Sequence, residues 1–419
     1  MPDDLPRVIT DVPGPRSRDL AKRLEQVECP EVTCLREPPV FWERASGANV
    51  WDVDGNRYVD LLAGFGVAPL GYGHPEVLKR AARQAEQLQS ALSDVYPARV
   101  KVELLEALER ALPGDLGCAI LSCSGSDAVE SALKTAQRAT GRPGVVAFEG
   151  AYHGLGFGAL DVTHRAHFRE PFDARLPHRT QFVPWGDADA ALDALRGGDC
   201  GAILVEPIQG RGGIRTPPAG FLSDLRRIAD EAGVLLIADE VYTGLGRTGH
   251  WLACEAEGVL PDVVALGKAL GGGFPISACA GRPEVMRRWG ASSGEALHTS
   301  THQGNPVGCA MALAVLEVLE REQLIERVRT AGAAALERLE RDLAGCSSVV
   351  EIRGRGFMIG IELDSPASAQ RVTEAALRSG WILIGESEDL RVLSLTPALS
   401  IPDSLLESGL DRIVELCGS

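Results

Sequence analysis

The middle of the chain alternates short apolar runs with stretches whose apolar residues recur at helical spacing. The runs are continuously apolar, which predicts strands buried on both faces of a parallel sheet rather than strands with one wet face. The predicted strands are residues 119–122, 145–148, 202–205, 234–238 and 263–266, and the predicted helices between them are residues 127–140, 188–196 and 221–232. This alternation predicts an open α/β sheet, in which ligands bind at the carboxyl ends of the strands.

The two ends of the chain show a different pattern. Near the N-terminus, Asp54-Gly55 lies between two alternating runs within residues 40–61, which is typical of a β-hairpin. Beyond the central region we predict helices over residues 309–330, 331–343, 367–379 and 404–417, and strands over residues 349–352, 358–363 and 381–384. We therefore predict a large α/β domain over residues 65–308, and a smaller α+β domain built from residues 1–64 and 309–419.

Composition narrows the possible partners and location. The 419 residues carry a formal net charge of −16, which disfavours binding to nucleic acid or to an anionic membrane surface. We find no apolar segment of bilayer length and no apolar core of a signal peptide. The ten cysteines include no CxxC pair, so we expect reduced thiols, no metal site and a cytoplasmic location.

Two nucleotide-binding motifs can be set aside. Residues 244–249 read GLGRTG and match GxGxxG, but no clear helix follows them and they do not come directly after a strand. Residues 234–240 resemble the magnesium-holding strand of a P-loop NTPase. Such an enzyme also needs the phosphate-binding loop GxxxxGK followed by Ser or Thr. The chain's one Gly-Lys pair is Gly267-Lys268, but Asp262 replaces the first glycine of that loop and Ala269 replaces its Ser or Thr.

Four other features fall at predicted strand ends, each with an ordinary alternative. Asp239 ends a buried strand, where a carboxylate needs a cation or hydrogen-bond donors; otherwise it is a cap or a structural ion pair. Lys268 follows the next strand and precedes several glycines, so it is either a desolvated amine nucleophile or a solvated surface residue. Gly125 and Ser126 open a helix and offer N–H groups to a phosphate, or form a simple N-cap. Tyr152 is an aromatic platform or core packing.

Together these features describe one site with an anion cradle, an aromatic ring, a buried carboxylate and a desolvated lysine. A phosphorylated pyridine aldehyde requires this set, because lysine forms a Schiff base with the aldehyde and an acidic group pairs with the ring nitrogen.

The chain resembles the class III aminotransferases, which are pyridoxal-phosphate enzymes of fold type I. The motifs that carry the resemblance occur in the family's order and are SGSDAVE (124–130), YHG (152–154), EPIQG (206–210), DEV (239–241), TGLGRTG (243–249), the Lys268 segment and STHQGNP (300–306). The resemblance covers about residues 35–415. It implies a mainly parallel sheet between helices, with a smaller α+β domain, and a transaminase that moves an amino group between an amine or amino acid and a 2-oxo acid.

The resemblance also implies roles for individual residues. Lys268 would form the Schiff base with pyridoxal 5'-phosphate, and Asp239 would pair with its ring nitrogen; these are the expected catalytic residues. The expected cofactor-binding set comprises Gly125, Ser126, Tyr152, His153, Glu206, Asp239, Val241, Tyr242, Lys268 and Thr301. In this set Tyr152 and Val241 flank the ring, and Glu206 lies near the substrate. The resemblance implies a homodimer or a dimer of dimers with shared active sites, in which Thr301 would reach the phosphate of the neighbouring subunit.

The chain departs from the family pattern at positions that affect the substrate. Tyr242 stands where many members have Gln. Ser394 stands where many have an Arg that binds a substrate carboxylate, and Leu155 stands where another Arg is common. We therefore expect Glu206 to lack its usual cationic partner. The predicted substrate is a neutral or cationic amine, an amino sugar, or an α-amino acid held by another arginine such as Arg211. An amino-acid racemase or epimerase of the same family is the alternative function.

Overall fold

The computed structural model describes residues 4–33 and 39–418. The strands are β1 Trp42–Ser46, β2 Asn49–Asp52, β3 Arg57–Asp60, β4 Cys118–Ser122, β5 Gly144–Phe148, β6 Thr180–Val183, β7 Cys200–Val205, β8 Leu235–Asp239, β9 Val263–Leu266, β10 Ser277–Gly281, β11 Val349–Arg355, β12 Met358–Leu363, β13 Trp381–Ile382, β14 Ile384–Glu386 and β15 Val392–Leu395. The helices are α1 Pro15–Val27, α2 Ala63–Gly66, α3 Pro75–Gln87, α4 Arg99–Ala111, α5 Gly125–Thr140, α6 Phe157–Asp161, α7 Ala166–Arg169, α8 Ala188–Leu195, α9 Phe221–Ala232, α10 Pro283–Met286, α11 Pro306–Arg321, α12 Leu324–Asp342, α13 Pro366–Arg378 and α14 Asp403–Cys417. Short 3₁₀ helices cover Glu170–Arg175, Ala253–Glu257, Lys268–Gly271 and Arg287–Trp289.

A seven-stranded sheet with the order β4-β10-β9-β8-β7-β5-β6 forms the centre of the fold. Strands β9, β8, β7, β5 and β6 pair in parallel, whereas β10 runs antiparallel to both β9 and β4. Strand β4 therefore points the same way as the parallel strands, and its carboxyl end lies at the same edge of the sheet. The predicted α/β fold with a mainly parallel sheet is confirmed.

Both faces of this sheet are buried, which explains why its strands are continuously apolar. Along β5, Val145 and Ala147 pack with the α5 side of the sheet, whereas Val146 and Phe148 pack on the opposite side. Helix α5 covers the first face, and helices α8, α9 and α11 contribute to the core on the second.

The two smaller sheets come from the chain ends. One has the order β1-β2-β3-β13, and the other has the order β11-β12-β15-β14. The predicted hairpin at Asp54-Gly55 joins β2 to β3, and Gly55 has a φ of 91° that favours glycine. The seven-stranded sheet lies within residues 65–308 and the small sheets lie outside that range. The division into two domains stays a prediction.

Several elements were left unpredicted by the sequence, and one helix was predicted too long. Strands β6 and β10 and the long helices α1, α3 and α4 were not predicted. The helix predicted over residues 309–330 ends at Arg321, because Gln323 adopts a left-handed φ of 51° and starts α12. None of the helices in the described ranges combines the length and apolar character needed to cross a lipid bilayer.

The GxGxxG match at residues 244–249 has a structural role. Arg247 is buried, and its Nη1 donates to the carbonyl oxygens of Phe357, at 2.9 Å, and Pro397, at 2.5 Å. Burial lowers the pKa of Arg247 to about 10. The segment therefore ties the central sheet to the C-terminal part of the chain.

Candidate active site

A cavity of about 630 Å³ opens at the carboxyl edge of the seven-stranded sheet, as the strand order predicts. This volume is typical of small-molecule sites. Its wall includes these predicted residues: Gly125, Ser126, Tyr152, His153, Glu206, Asp239, Val241, Tyr242 and Lys268. Sequence segments that are far apart thus converge on one site.

Lys268 follows β9 and begins a 3₁₀ turn with a φ of 29°, a conformation that non-glycine residues rarely adopt. Its Nζ lies 4.0 Å from the centroid of the Tyr242 ring. Burial lowers the pKa of Lys268, although the charges of Asp239 and Glu206 oppose this shift. The surroundings therefore favour the uncharged, nucleophilic amine more than water does.

Asp239 ends β8 and pairs with His153. The distance from Nδ1 of His153 to Oδ2 of Asp239 is 2.7 Å, and both side chains are buried. Burial by itself would lower the pKa of His153, but the hydrogen bond and charge of Asp239 outweigh it, so this pKa is raised. The second oxygen of Asp239 accepts from the Val241 N–H at 3.1 Å.

Glu206 follows β7 and is also buried. Its oxygens accept hydrogen bonds from the backbone N–H groups of Tyr152, at 3.1 Å, and Gly210, at 3.2 Å. Among the residues that the structure describes, no lysine or arginine lies within ion-pair distance of this carboxyl group. Burial raises its pKa to about 7, with the nearby His153 opposing the shift and Asp239 adding to it.

The anion cradle is the N-terminus of α5, directly after β4. Ser124 caps the helix by accepting from the Asp127 N–H, and the Asp127 side chain accepts from the Ser124 N–H. This capping box leaves the first N–H groups, those of Gly125 and Ser126, at the cavity wall. A Cβ on Gly125 would lie 2.7 Å from Val241 Cγ1, so this approach requires glycine.

Tyr242 is held firmly in the wall. Its hydroxyl lies 3.1 Å from Oγ1 of Thr396, and burial raises its pKa to about 12, which keeps the phenol neutral. A Cβ on Gly66 would lie 2.9 Å from the Tyr242 ring, and a Cβ on Gly210 would lie 2.5 Å from it. The ring therefore packs closely against both glycines. The ring presents its face to Lys268, while the hydroxyl is engaged with Thr396.

Thr301 is the predicted site residue that this cavity does not include. It is exposed, in the segment between the 3₁₀ helix Arg287–Trp289 and α11. Ser394 is buried on β15, whereas Leu155 is half exposed at the cavity wall.

Sequence reasoning missed several wall residues. Phe65 and Val67 come from the segment after β3, Cys123 from the end of β4, and Pro275 and Ile276 from the loop before β10. A further wall residue, the buried carboxylate Glu386, comes from β14. A carboxylate within the apolar stretch WILIGE (381–386) was a usable signal for a buried functional group.

Comparisons with known proteins identify relatives of this chain and of its fold. The profile of the family "Aminotransferase class-III" matches residues 34–417. The acetylornithine aminotransferase of Methanosarcina mazei is 40% identical, with 89% of this chain and 90% of that protein covered. The 5-aminovalerate aminotransferase of Pseudomonas aeruginosa is 36% identical, with 90% and 93% covered. The solved ornithine aminotransferase of Toxoplasma gondii, described with partial occupancy of PLP, superposes with a TM-score of 0.89 at 32% identity, covering 96% of this chain and 94% of that one.

Fold, site and comparisons together define a fold type I enzyme that uses pyridoxal phosphate. The residues present fit this cofactor, since one cavity combines a free helix N-terminus, a paired buried carboxylate and a partly desolvated lysine. The chain belongs to the class III aminotransferases and is a transaminase.

Proposed function

We propose that this enzyme moves an amino group between an amine or amino acid and a 2-oxo acid, with Lys268 as the residue that is joined to the cofactor. One observation carries the proposal: Lys268, the Asp239–His153 pair and the N-terminus of α5 line a single cavity. When bound, pyridoxal phosphate supplies an aldehyde that condenses with amines and a ring that accepts the electron pair of the adjacent carbon.

The residues around the cavity divide the work of holding the cofactor. The N–H groups of Gly125 and Ser126 at the start of α5 suit the phosphate. Tyr152 and Val241 also line the cavity and are suited to the two faces of a flat ring. Asp239 has an acceptor oxygen for a protonated ring nitrogen, and His153 holds this carboxylate in position.

Once an incoming amine has displaced Lys268 from the cofactor, the freed Nζ of Lys268 would act as base and then as acid. It would take the proton from the substrate carbon that carries the nitrogen and then release it in the next step. The lowered pKa of Lys268 supports this role because a neutral amine is needed to accept the proton.

The substrate is expected to lie outside the standard pairing of an ω-amino acid with 2-oxoglutarate. Ser394 and Leu155 supply no cation where relatives commonly have arginine, and no described lysine or arginine lies within ion-pair distance of Glu206. The names of two relatives specify acetylornithine and 5-aminovalerate, and 5-aminovalerate is itself an ω-amino acid, so this expectation rests on Ser394 and Leu155 and not on the relatives. Strong activity with 4-aminobutyrate and 2-oxoglutarate would contradict this expectation.

We also propose a homodimer in which Thr301 of one subunit reaches the cofactor site of the other. Thr301 is exposed, and exposed apolar side chains surround its segment: Leu297 on the same segment, and Leu92, Val95 and Tyr96 next to Ser93, whose hydroxyl lies 3.4 Å from the Ser300 carbonyl oxygen. Such a patch is typical of a subunit interface. Sedimentation equilibrium tests the dimer. A Thr301→Ala variant that keeps wild-type cofactor affinity would contradict the shared site.

We propose a cytoplasmic location because the cysteines that the structure describes are not paired in disulfides. The cysteines in the described ranges are free, which is typical of a reducing compartment.

The direct test is a half-reaction screen. Candidate amines are added one at a time to the cofactor-loaded enzyme, and conversion of the cofactor is followed by absorbance. We expect at least one amine to convert it, and a 2-oxo acid to reverse the conversion. Racemisation of an amino acid without any oxo-acid acceptor, detected by chiral chromatography, would instead support the racemase or epimerase.

A further inference from the structure

A 2-oxo acid carries a carboxylate beside the carbonyl that reacts, and an amino acid carries one near its amine. Inside a partly desolvated cavity, such a carboxylate needs a cation or several donors. Within the described residues, Lys268 and Arg211 are the lysine and arginine of the cavity wall. Lys268 is committed to the reacting carbon, which leaves Arg211 for the carboxylate.

Aromatic rings rather than a carboxylate fix the position of Arg211. Its Cζ lies 4.6 Å from the centroid of the Tyr152 ring and 5.6 Å from that of Phe168. These two rings are themselves packed edge to face, with centroids 5.5 Å apart. A guanidinium stacked on such a platform keeps its N–H edge available for bidentate binding of a carboxylate.

The hydrogen-bonding capacity of Arg211 is not used within the described residues. Its Nε is buried without a hydrogen-bond partner, and no described carboxylate lies within ion-pair distance of its guanidinium. A buried donor of this kind is costly unless a ligand satisfies it.

A second arginine adds positive charge beside it. Arg165 lies 5.8 Å from the centroid of the Phe168 ring, on which Arg211 also packs, and donates to the carbonyl oxygen of Ser387. Burial lowers the pKa of Arg165, and the like charge of Arg211 lowers it further, while Glu388 and Glu386 oppose this shift. Arg165 therefore adds positive charge on the same side of the cavity as Arg211, which favours binding of an anion by Arg211.

We propose that Arg211 binds the substrate carboxylate, both of the amino acid and of the 2-oxo acid, with Tyr152 and Phe168 orienting its guanidinium. This inference rests on the proposed amino-transfer function. It assigns the substrate class as compounds with one carboxylate close to the reacting carbon.

The test compares acceptors that differ by the carboxylate alone. The holoenzyme is first converted to its aminated form with an active amine, and its reaction with pyruvate and with acetaldehyde is followed by absorbance. We expect Arg211→Gln to lower kcat/KM for pyruvate on the order of 100-fold, as for loss of one partner of a desolvated charge pair. The value for acetaldehyde should change less than about threefold. Arg211→Lys should keep part of the pyruvate rate.

Arg175→Gln is the matched control, because this exposed arginine also lies over a ring, 5.3 Å from the centroid of Phe157, but outside the cavity wall. It should leave both acceptors unaffected. Equal losses for pyruvate and acetaldehyde in Arg211→Gln, or no loss for pyruvate, would overturn the proposal.

A binding measurement separates this inference from the proposed function. Calorimetry on the holoenzyme measures the affinity for propanoate, with neutral propanamide as the comparison. We expect the wild type to bind propanoate, and Arg211→Gln to weaken that binding more than tenfold. Equal propanoate affinity in wild type and variant, or no binding by the wild type, would count against Arg211 even if amino transfer fails with every acceptor.

Discussion

The buried carboxyl group of Glu206 should make the stability of the cofactor-free enzyme depend on pH in a specific window. Its pKa is raised from an ordinary value of 4.5 to about 7. The folded state therefore binds this proton more tightly than the unfolded state does. The resulting stabilisation is fully present below pH 4.5 and is lost as the pH rises through 7. A shift of this size corresponds to about 3 kcal/mol.

The Glu206→Gln variant removes this titration while keeping the shape of the side chain. The backbone N–H groups of Tyr152 and Gly210 donate to the two carboxyl oxygens of Glu206, and in the variant one of them would face the amide NH₂ of glutamine. The lost hydrogen bond lowers the free energy of unfolding by a roughly constant amount at every pH. Urea unfolding of the cofactor-free proteins between pH 4.5 and 7.5 then gives the difference in unfolding free energy. We expect the wild type to lose about 3 kcal/mol relative to the variant across this range.

The control variant is Glu43→Gln, because Glu43 on β1 is exposed and lies outside the cavity. It removes one negative charge, as Glu206→Gln does, and should show no such dependence on pH. A wild-type minus Glu206→Gln difference that stays flat within about 0.5 kcal/mol would refute the reasoning, because Glu206 would then not titrate in this window.

Three further outcomes are expected. His153→Phe leaves Asp239 buried without its partner and should destabilise the cofactor-free enzyme by about 3 kcal/mol in urea unfolding; an unchanged midpoint would count against the pair. Tyr242→Leu removes the ring beneath the Lys268 amine and should lower the pKa of that amine by about half to one pH unit, measured from the pH dependence of its chemical labelling; an unshifted profile would contradict the contact. Ser124→Ala removes the cap of α5 and should lower stability by about 1 kcal/mol, with thermal unfolding as the check and wild-type stability as the contrary result.

The strands that could be predicted are those whose burial is visible in the local sequence. Strands β5, β7, β8 and β9 are apolar at successive positions because helices cover both faces of the sheet. Strand β10 reads SACAG, with small residues that carry little strand preference. It forms a strand because it fits between β9 and β4, which no local pattern reveals.

The site residues also fall into a group that the sequence could predict and a group that depends on tertiary packing. Asp239, Lys268 and Gly125 could be predicted to converge because each follows a strand of one sheet, and the carboxyl ends of those strands meet at one edge. The contributions of Glu386 and Phe65 depend on how the chain ends pack against the central sheet. The engagement of the Tyr242 hydroxyl with Thr396 joins residues 154 positions apart, so sequence spacing could not predict it.

The central claim is that Lys268 forms the covalent bond to the cofactor. Borohydride reduction of the loaded enzyme makes this bond permanent, and mass spectrometry of its peptides then locates it. We predict the adduct on the peptide that contains Lys268, and neither adduct nor amino transfer in Lys268→Ala. An adduct on another lysine, or turnover that survives in Lys268→Ala, would contradict the assignment.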